Sequence, residues 1–289
     1  MSEQAKTSAT TRPQPPRDPT GNQAYLLASE DLDFLAKDDL RPLRLQLELL
    51  KPEWYLRQEG VRSTIVVFGS ARILPPEVAE REVAELEFAV REKPDNPQLH
   101  FELGRARKRQ TYSRFYKDAR QFSASVSRRF QEAGHRDFVV VTGGGPGIME
   151  AANRGAHEVE ARSIGLNITL PHEQAPNPFI SPELCFQFRY FAIRKMHFLL
   201  RARGLVAFPG GYGTLDEVFE VLTLIQTGKI APIPVVLIGR DFWTRAIDFT
   251  FLVEEGVVDA KDIALFQIVE HADQAIQIIH DFYGGKPLP

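Results

Sequence analysis

A glycine-rich stretch with two carboxylates follows a short apolar run. Residues Pro209–Glu217 read Pro-Gly-Gly-Tyr-Gly-Thr-Leu-Asp-Glu, directly after the apolar run Leu205–Phe208. Glycines let the backbone approach a bound group closely, and a following helix aims its free N–H groups and positive dipole end at that group. Such a turn is a typical phosphate site. A carboxylate beside it, Glu217, suits the binding of sugar hydroxyls or a water molecule.

The same stretch also has a purely structural interpretation. Thr214 stands where a helix N-cap would stand, and Glu217 follows three residues later, which is the pattern of a capping box. The pattern alone favours the capping box. A second glycine loop elsewhere in the chain and the Pro-Gly-Gly start favour the anion site, in which we expect the helix end to keep Glu217 ionised.

The second glycine loop follows another apolar run, Phe138–Thr142. It contains three consecutive glycines and then a fourth, at positions Gly143, Gly144, Gly145 and Gly147. A ligand-free strand-to-helix turn is the alternative, but it needs fewer glycines. The loop is neither a dinucleotide fingerprint with an acid about 20 residues on nor a Walker loop, because no Gly-Lys-Ser/Thr follows. It therefore predicts a phosphate loop of another kind.

Two further candidates lie between these loops. Arg194 and Lys195 start a predicted helix that is otherwise largely apolar, so a basic pair there would need anionic company; a solvated basic face is the alternative. Glu173 lies in the proline-rich loop Leu170–Phe179, where an exposed loop acid is an equal alternative.

The run Arg105–Arg120 is basic and carries interleaved tyrosines. It could contact RNA or an acidic partner. We favour the solvated face of a long helix, because acids elsewhere balance its charge.

Composition and missing motifs exclude several classes of protein. The formal net charge is −3, which argues against a general nucleic-acid or membrane binder. No apolar run approaches the roughly 20 residues that span a bilayer, and the N-terminus is not a signal peptide. The single cysteine, Cys185, suits a reducing, cytoplasmic setting. No HExxH, cysteine cluster or Gly-x-Ser-x-Gly is present, which argues against metal or serine hydrolysis.

The elements that would position these residues alternate between strands and helices along the chain. This alternation predicts a parallel sheet covered by helices on both faces. We expect a disordered arm over residues 1–27, a helical extension over 28–62 and the main domain over 63–289. The leucines of Arg41–Leu50 alternate as in a strand, but their neighbours are helix formers, so we predict a helix. Three apolar runs end in glycine, at Gly69-Ser70, Gly143–Gly147 and Gly210–Gly213. If the strands that they form are neighbours, their loops line one crevice.

Together these motifs resemble the LOG ("Lonely Guy") family, phosphoribohydrolases that release a free base from a nucleoside 5′-monophosphate. The family marker Pro-Gly-Gly-x-Gly-Thr-x-x-Glu is complete from Pro209 to Glu217, and the upstream Arg-Lys pair is matched by Arg194 and Lys195. The triple glycine matches at Gly143–Gly145. The resemblance covers roughly Thr64 to Val269 and implies a Rossmann-like doubly wound fold.

The resemblance also implies roles for individual residues. Glu217 and Arg194 are the implied catalytic pair: Glu217 would hold the ribose and orient water, and Arg194 would donate to the departing base or the phosphate. No metal or organic cofactor is implied. The implied substrate-binding residues are Ser70, Gly143, Gly144, Gly145, Gly147, Glu173, Lys195, Gly210, Gly211, Tyr212, Gly213, Thr214 and Thr223.

The chain departs from the small plant members in its short Gly143–Gly147 loop and in long segments before Ser63 and between Ser70 and Gly143. AMP-like nucleotides are therefore as reasonable a substrate as cytokinin ribotides. Older naming called such proteins lysine decarboxylases, but no lysine stands out as a pyridoxal phosphate anchor. A non-catalytic nucleotide or molybdenum-cofactor binder is the alternative function. The partners expected are a nucleoside monophosphate and at least one further copy of the chain, with no nucleic acid and no membrane.

Overall fold

The computed structural model describes residues 18–131, 134, 136–171 and 175–284. The chain divides into two compact units, Met1–Leu47 and Glu48–Pro289. The first 17 residues of the predicted disordered arm lie outside the described residues, and the predicted domain boundaries stay predictions. Among the described residues, no helix is long and apolar enough to cross a membrane.

The described part of the chain forms one sheet of seven parallel strands in the order β4-β3-β2-β1-β5-β6-β7. The central strands are β-branched runs buried on both faces, which is the pattern of a covered parallel sheet. The strands are β1 Thr64–Phe68, β2 Val139–Thr142, β3 Ser163–Ile168, β4 Cys185–Phe188, β5 Ala202–Ala207, β6 Val235–Ile238 and β7 Gln267–Val269.

Helices surround this sheet and precede it. The α-helices of the described residues are α1 Leu32–Ala36, α2 Arg41–Gln58, α3 Pro76–Glu92, α4 Pro97–Tyr112, α5 Arg114–Phe130, α6 Ile148–His157, α7 Phe191–Leu199, α8 Tyr212–Gln226, α9 Arg240–Ala246, α10 Phe249–Glu254 and α11 Ala272–Phe282. The helix predicted for Arg41–Leu50 is confirmed by α2.

Two large apolar clusters cover the two faces of the sheet. One includes Phe198 of α7, Val218 of α8 and Trp243 of α9. The other includes Phe122 of α5 and Ile148 of α6. Because both faces are covered by helices, the predicted doubly wound, Rossmann-like parallel sheet is confirmed.

Among the described residues, the connection between β1 and β2 holds the three helices α3, α4 and α5, where the sequence favoured one long helix for Arg105–Arg120. The basic region divides at Ser113, which ends α4 and precedes α5. The Ser113 hydroxyl donates to the carbonyl of Gln110 (2.7 Å), which satisfies a carbonyl in the last turn of α4. Helix α4 is held to α3 by a small separate cluster of Val83, Leu103 and Ala106.

The order of the strands reverses at β1. From β1 the chain moves outward through β2, β3 and β4, and it then returns to pair β5 with the other side of β1. Ligands of such sheets bind beyond the carboxyl ends of the strands at this switch point. The three strands that end in glycine are β2, β1 and β5, and they are neighbours, so the condition under which their loops line one crevice is met.

Candidate active site

Backbone hydrogen bonds join the three glycine loops. The Ser70 N–H donates to the Pro209 carbonyl (3.0 Å), and the Ser70 carbonyl accepts from the N–H of Ile148 (3.2 Å). Ser70 thus lies between the loop after β5 and the loop after β2. The three loops form one continuous floor at the switch point.

A cavity of about 980 Å³ lies on this floor. Loops after β1, β2 and β5 line it, together with side chains of α4, α7 and α8. Of the predicted site residues, the structure brings the following to its wall: Ser70, Gly143, Arg194, Gly210, Gly211, Tyr212, Gly213, Thr214 and Glu217.

The Pro-Gly-Gly loop leads into α8 earlier than the sequence pattern indicated. The helix begins at Tyr212, and its N-cap is Gly211, which makes no side-chain capping bond. Thr214 and Glu217 are therefore inside the helix, and the capping-box interpretation is wrong. In the described chain the first N–H of this segment to find a backbone acceptor is that of Leu215, on Gly211 (3.0 Å). The N–H groups of the three preceding residues are available to a ligand.

Space at the start of α8 differs between its glycines. A β-carbon at Gly210 would lie 2.1 Å from Oγ1 of Thr214, whereas one at Gly211 or Gly213 would meet nothing within 4 Å. Gly210 is thus required for packing of the loop against the threonine. Gly211 and Gly213 instead keep the cavity open beside the free N–H groups.

Glu217 is almost buried, with 7% of its surface exposed. Burial raises the pKa of its carboxyl to about 7, although the positive charges of Arg194 and Lys195 oppose the shift. The expectation that the helix end keeps this group ionised is corrected. The dipole acts within the first turn, and Glu217 is the sixth residue of α8, so desolvation dominates.

Arg194 lies in α7 and faces the second glycine loop. Its Nε donates to the carbonyl of Leu166 at the end of β3 (2.7 Å). Its guanidinium stands 5.2 Å from the ring centroid of Phe198. Burial lowers its pKa while Glu217 raises it, and arginine stays protonated under these conditions. The Glu217 carboxylate is the negative charge that acts on this cation, as the sequence predicted that one would.

A β-carbon at Gly143 would lie 2.6 Å from Nη2 of Arg194. The absence of a side chain at Gly143 therefore gives the guanidinium its place at the cavity wall.

Two predicted binding residues lie away from the cavity wall. Lys195 pairs through Nζ with Asp216 (2.6 Å) and Glu220 (3.3 Å), so its charge is directed to α8. Thr223 is exposed in the fourth turn of α8, and its hydroxyl donates to the Phe219 carbonyl (2.7 Å). Their predicted contacts with a substrate stay predictions.

The remaining glycines of the second loop shape it rather than line it. Gly144 and Gly147 have φ of +76° and +70°, a region that favours glycine. A β-carbon at Gly147 would meet the Ser70 carbonyl at 2.4 Å. The Gly145 carbonyl accepts from the buried amide of Asn177 (3.1 Å). Sequence reasoning missed Asn177, whose only signal was an asparagine between two prolines.

Asn177 also accounts for the local loop geometry. Its backbone N–H donates to the Gly144 carbonyl (2.8 Å), and its side-chain amide donates to Asn153 Oδ1 (3.0 Å). These bonds hold the Gly143–Gly147 loop in its observed conformation. Glu173, predicted to bind substrate from the same segment, lies outside the described residues.

Part of the basic run Arg105–Arg120 lines the cavity, whereas the sequence favoured only a solvated helix face. Arg105, Lys108, Arg109 and Tyr112 of α4 all line the cavity. Their spacing of three, four and seven residues places them on one side of the helix. This stripe was visible in the sequence, but nothing there indicated that α4 lies beside the glycine loops.

Comparison with known proteins shows what the chain is similar to. Residues 149–279 match the family model described as "Possible lysine decarboxylase". A cytokinin riboside 5′-monophosphate phosphoribohydrolase of Arabidopsis thaliana is 27% identical over 149 residues, which are 50% of this chain and 68% of the relative. A second such enzyme of that plant is 32% identical over 133 residues, 44% of this chain and 59% of the relative.

A bacterial relative and a solved structure extend the comparison. A pyrimidine/purine nucleotide 5′-monophosphate nucleosidase of Escherichia coli K12 is 28% identical over 137 residues, 44% of this chain but only 29% of the nucleosidase. A molybdenum cofactor carrier protein of Chlamydomonas reinhardtii has a TM-score of 0.44 and 17% identity, covering 77% of this chain and 99% of that chain.

The predicted resemblance to the LOG family is confirmed by these matches, at low sequence identity. The chain is related to phosphoribohydrolases and nucleosidases of nucleoside 5′-monophosphates.

Proposed function

We propose that the protein hydrolyses the N-glycosidic bond of a nucleoside 5′-monophosphate, AMP or a cytokinin ribotide, giving the free base and ribose 5-phosphate. The observation that carries the proposal is the buried Glu217 carboxyl together with the half-buried Arg194 guanidinium, both at the wall of a cavity whose floor is a phosphate-type helix start. A passive binder of phosphate has no need of a carboxylate that is costly to bury.

The 5′-phosphate would occupy the open space beside Gly211 and Gly213. There the free N–H groups at the start of α8 and the positive end of the helix favour an anion. The Thr214 hydroxyl is close to the same loop and would add a donor. Ser70 and Gly143 would form the facing walls.

Glu217 would act next to the ribose. Cleavage of the N-glycosidic bond builds positive charge on the sugar, and a fixed carboxylate stabilises that charge more in the transition state than in the ground state. The same carboxylate would hold ribose hydroxyls and orient the attacking water. A pKa of about 7 gives a substantial ionised fraction at neutral pH and makes the group a competent base.

Arg194 would assist the departure of the base. Its guanidinium is held by Leu166 and faces Gly143, so it presents fixed donors at the cavity wall. Because arginine keeps its proton, its role is to donate hydrogen bonds and stabilise negative charge on the base or phosphate.

The test is to incubate the purified chain with a panel of nucleoside 5′-monophosphates and the matching nucleosides, and to measure free base and ribose 5-phosphate. We expect release from AMP or an N6-substituted AMP, and far weaker binding of adenosine because the loop N–H groups would lack a partner. Nucleotide binding without release of base from any monophosphate would contradict the enzymatic proposal and support a non-catalytic carrier instead.

Assembly and location form part of the same proposal. Helices α7 and α8 expose large apolar side chains, among them Phe191, Met196 and Phe219. We expect these to be covered in a homodimer or larger homo-oligomer. A monomeric mass in light scattering at micromolar concentration would contradict this. The cytoplasmic location stays a prediction.

A further inference from the structure

The side of α4 that lines the cavity is strongly cationic. We call Arg105, Lys108, Arg109 and Tyr112 the α4 wall; all four border the same cavity as Glu217 and the glycine loops. The helix is held in place by buried Leu103 and Ala106 on its other side. The wall is therefore a fixed part of the cavity.

The cations of the α4 wall differ in what neutralises them. Arg109 is paired with Glu82, with Nε of the arginine 3.0 Å from Oε2. For Arg105 and Lys108, no carboxylate of the described residues lies within 4.0 Å, and each stands over an aromatic ring instead. Arg105 also borders a second cavity of about 410 Å³, which is lined by Glu82, Glu85 and Glu102, and it forms no ion pair within 4.0 Å with any of these three.

The rest of the cavity does not offset this charge. Its only carboxylates among the described residues are Asp216, which pairs with Lys195, and Glu217, which faces Arg194. Arg72, in the loop after β1, adds another cation to the lining. One phosphate at the start of α8 would leave Arg105 and Lys108 of the α4 wall without an anion at ion-pair distance.

The size of the cavity points in the same direction. Its volume of about 980 Å³ is at the top of the roughly 300–1,000 Å³ typical of small-molecule sites. Such a cavity has room for a substituent beyond a nucleoside monophosphate.

We infer that Arg105 and Lys108 bind a second anionic group of the ligand. The preferred nucleotides then carry, besides the 5′-monophosphate, another phosphate or a carboxylate. This inference rests on the proposed function and specifies its substrate class. The solvated helix face is the competing explanation, in which the two cations contribute nothing to ligand binding.

The experiment measures Kd by calorimetry at low ionic strength for AMP and three nucleotides with a second anion. These are ADP, adenosine 3′,5′-bisphosphate and N6-(1,2-dicarboxyethyl)-AMP, which place the anion at the 5′ end, at the 3′ position and on the base. We compare the natural chain with the double variant Arg105→Gln/Lys108→Gln. Glutamine is a good helix former, so α4 is retained.

The matched control is Arg107→Gln. Arg107 is on the same helix, pairs with Glu87 (3.0 Å) and does not border the cavity. It removes one charge of α4 without touching the α4 wall.

In the natural chain we expect at least one of the three nucleotides to bind about tenfold more tightly than AMP. The double variant should lose this preference while its AMP affinity changes by less than about threefold, and Arg107→Gln should keep it. Equal affinity for all four nucleotides, or a preference that persists in the double variant, overturns this inference while AMP binding and cleavage remain intact. If none of the four binds, both this inference and the proposed function are wrong.

Discussion

A β-carbon built on Gly210 would lie 2.1 Å from the hydroxyl oxygen of Thr214 and 2.5 Å from its β-carbon. The loop therefore packs against the first turn of α8 with no room for any side chain at position 210. Two residues of one short motif are thus linked by packing, separately from any ligand that they contact.

The glycines of this loop should respond to substitution in opposite ways. Gly210→Ala forces the loop away from Thr214, and we expect it to destabilise the fold by about 1–3 kcal/mol. Gly213→Ala enters open space within a helix, so it should stabilise the fold by about 0.5–1 kcal/mol and yet weaken AMP binding. Denaturant unfolding and calorimetry check both. A Gly213→Ala variant with unchanged AMP affinity would show that the phosphate lies elsewhere.

Catalysis should depend on the ionisation of Glu217. Since the carboxylate is the active form and its pKa is about 7, kcat/KM should rise about tenfold per pH unit below pH 7 and level off above it. The substrate phosphate titrates near pH 6 and remains in a Glu217→Gln variant. The pH–rate profile of that variant should therefore lose the titration near pH 7 and keep the one near pH 6. A rate that falls as pH rises through 7 would make Glu217 an acid instead.

Lys195 should tune that pKa from outside the cavity. It neutralises Asp216 and Glu220 and lowers the pKa of Glu217. Lys195→Met removes this positive charge and leaves the neighbouring acids uncompensated, so the pKa of Glu217 should rise. The limb of the pH–rate profile should move to higher pH, while the plateau at high pH is largely kept. An unmoved limb with a lowered plateau would indicate that Lys195 touches the substrate instead.

Glu217 should also make the fold less stable at high pH. The folded-state pKa of about 7 exceeds the usual 4.5, so the folded protein binds the proton more tightly than the unfolded chain. Stability is then lost as pH rises from about 4.5 to 7. The natural chain should therefore lose about 2–3 kcal/mol of unfolding free energy between pH 5 and pH 8 that the Glu217→Gln variant does not lose. A pH-independent difference would contradict the buried, protonated state.

The sheet and its glycine loops could be predicted because strands such as Val139–Thr142 are followed directly by glycine. Adjacent residues carry this signal, so it can be seen in the sequence alone. The capping-box interpretation failed because α8 begins two residues before Thr214, with Gly211 in an extended conformation as its N-cap. The raised pKa of Glu217 depends on burial by distant elements. The α4 wall was missed because a solvated stripe such as Arg105 and Lys108 has the same helical spacing as one facing a cavity.

The turnover of Glu217→Gln tests the central claim most directly. Glutamine keeps the shape of the side chain and removes its charge, and Thr214→Ser serves as the control because it keeps a hydroxyl beside the phosphate loop. Free adenine released from AMP should fall by two or more orders of magnitude, about 3 kcal/mol of transition-state stabilisation, while AMP affinity changes far less and Thr214→Ser stays active. Near-normal release of adenine by Glu217→Gln would contradict the account and leave the glutamate without a catalytic role.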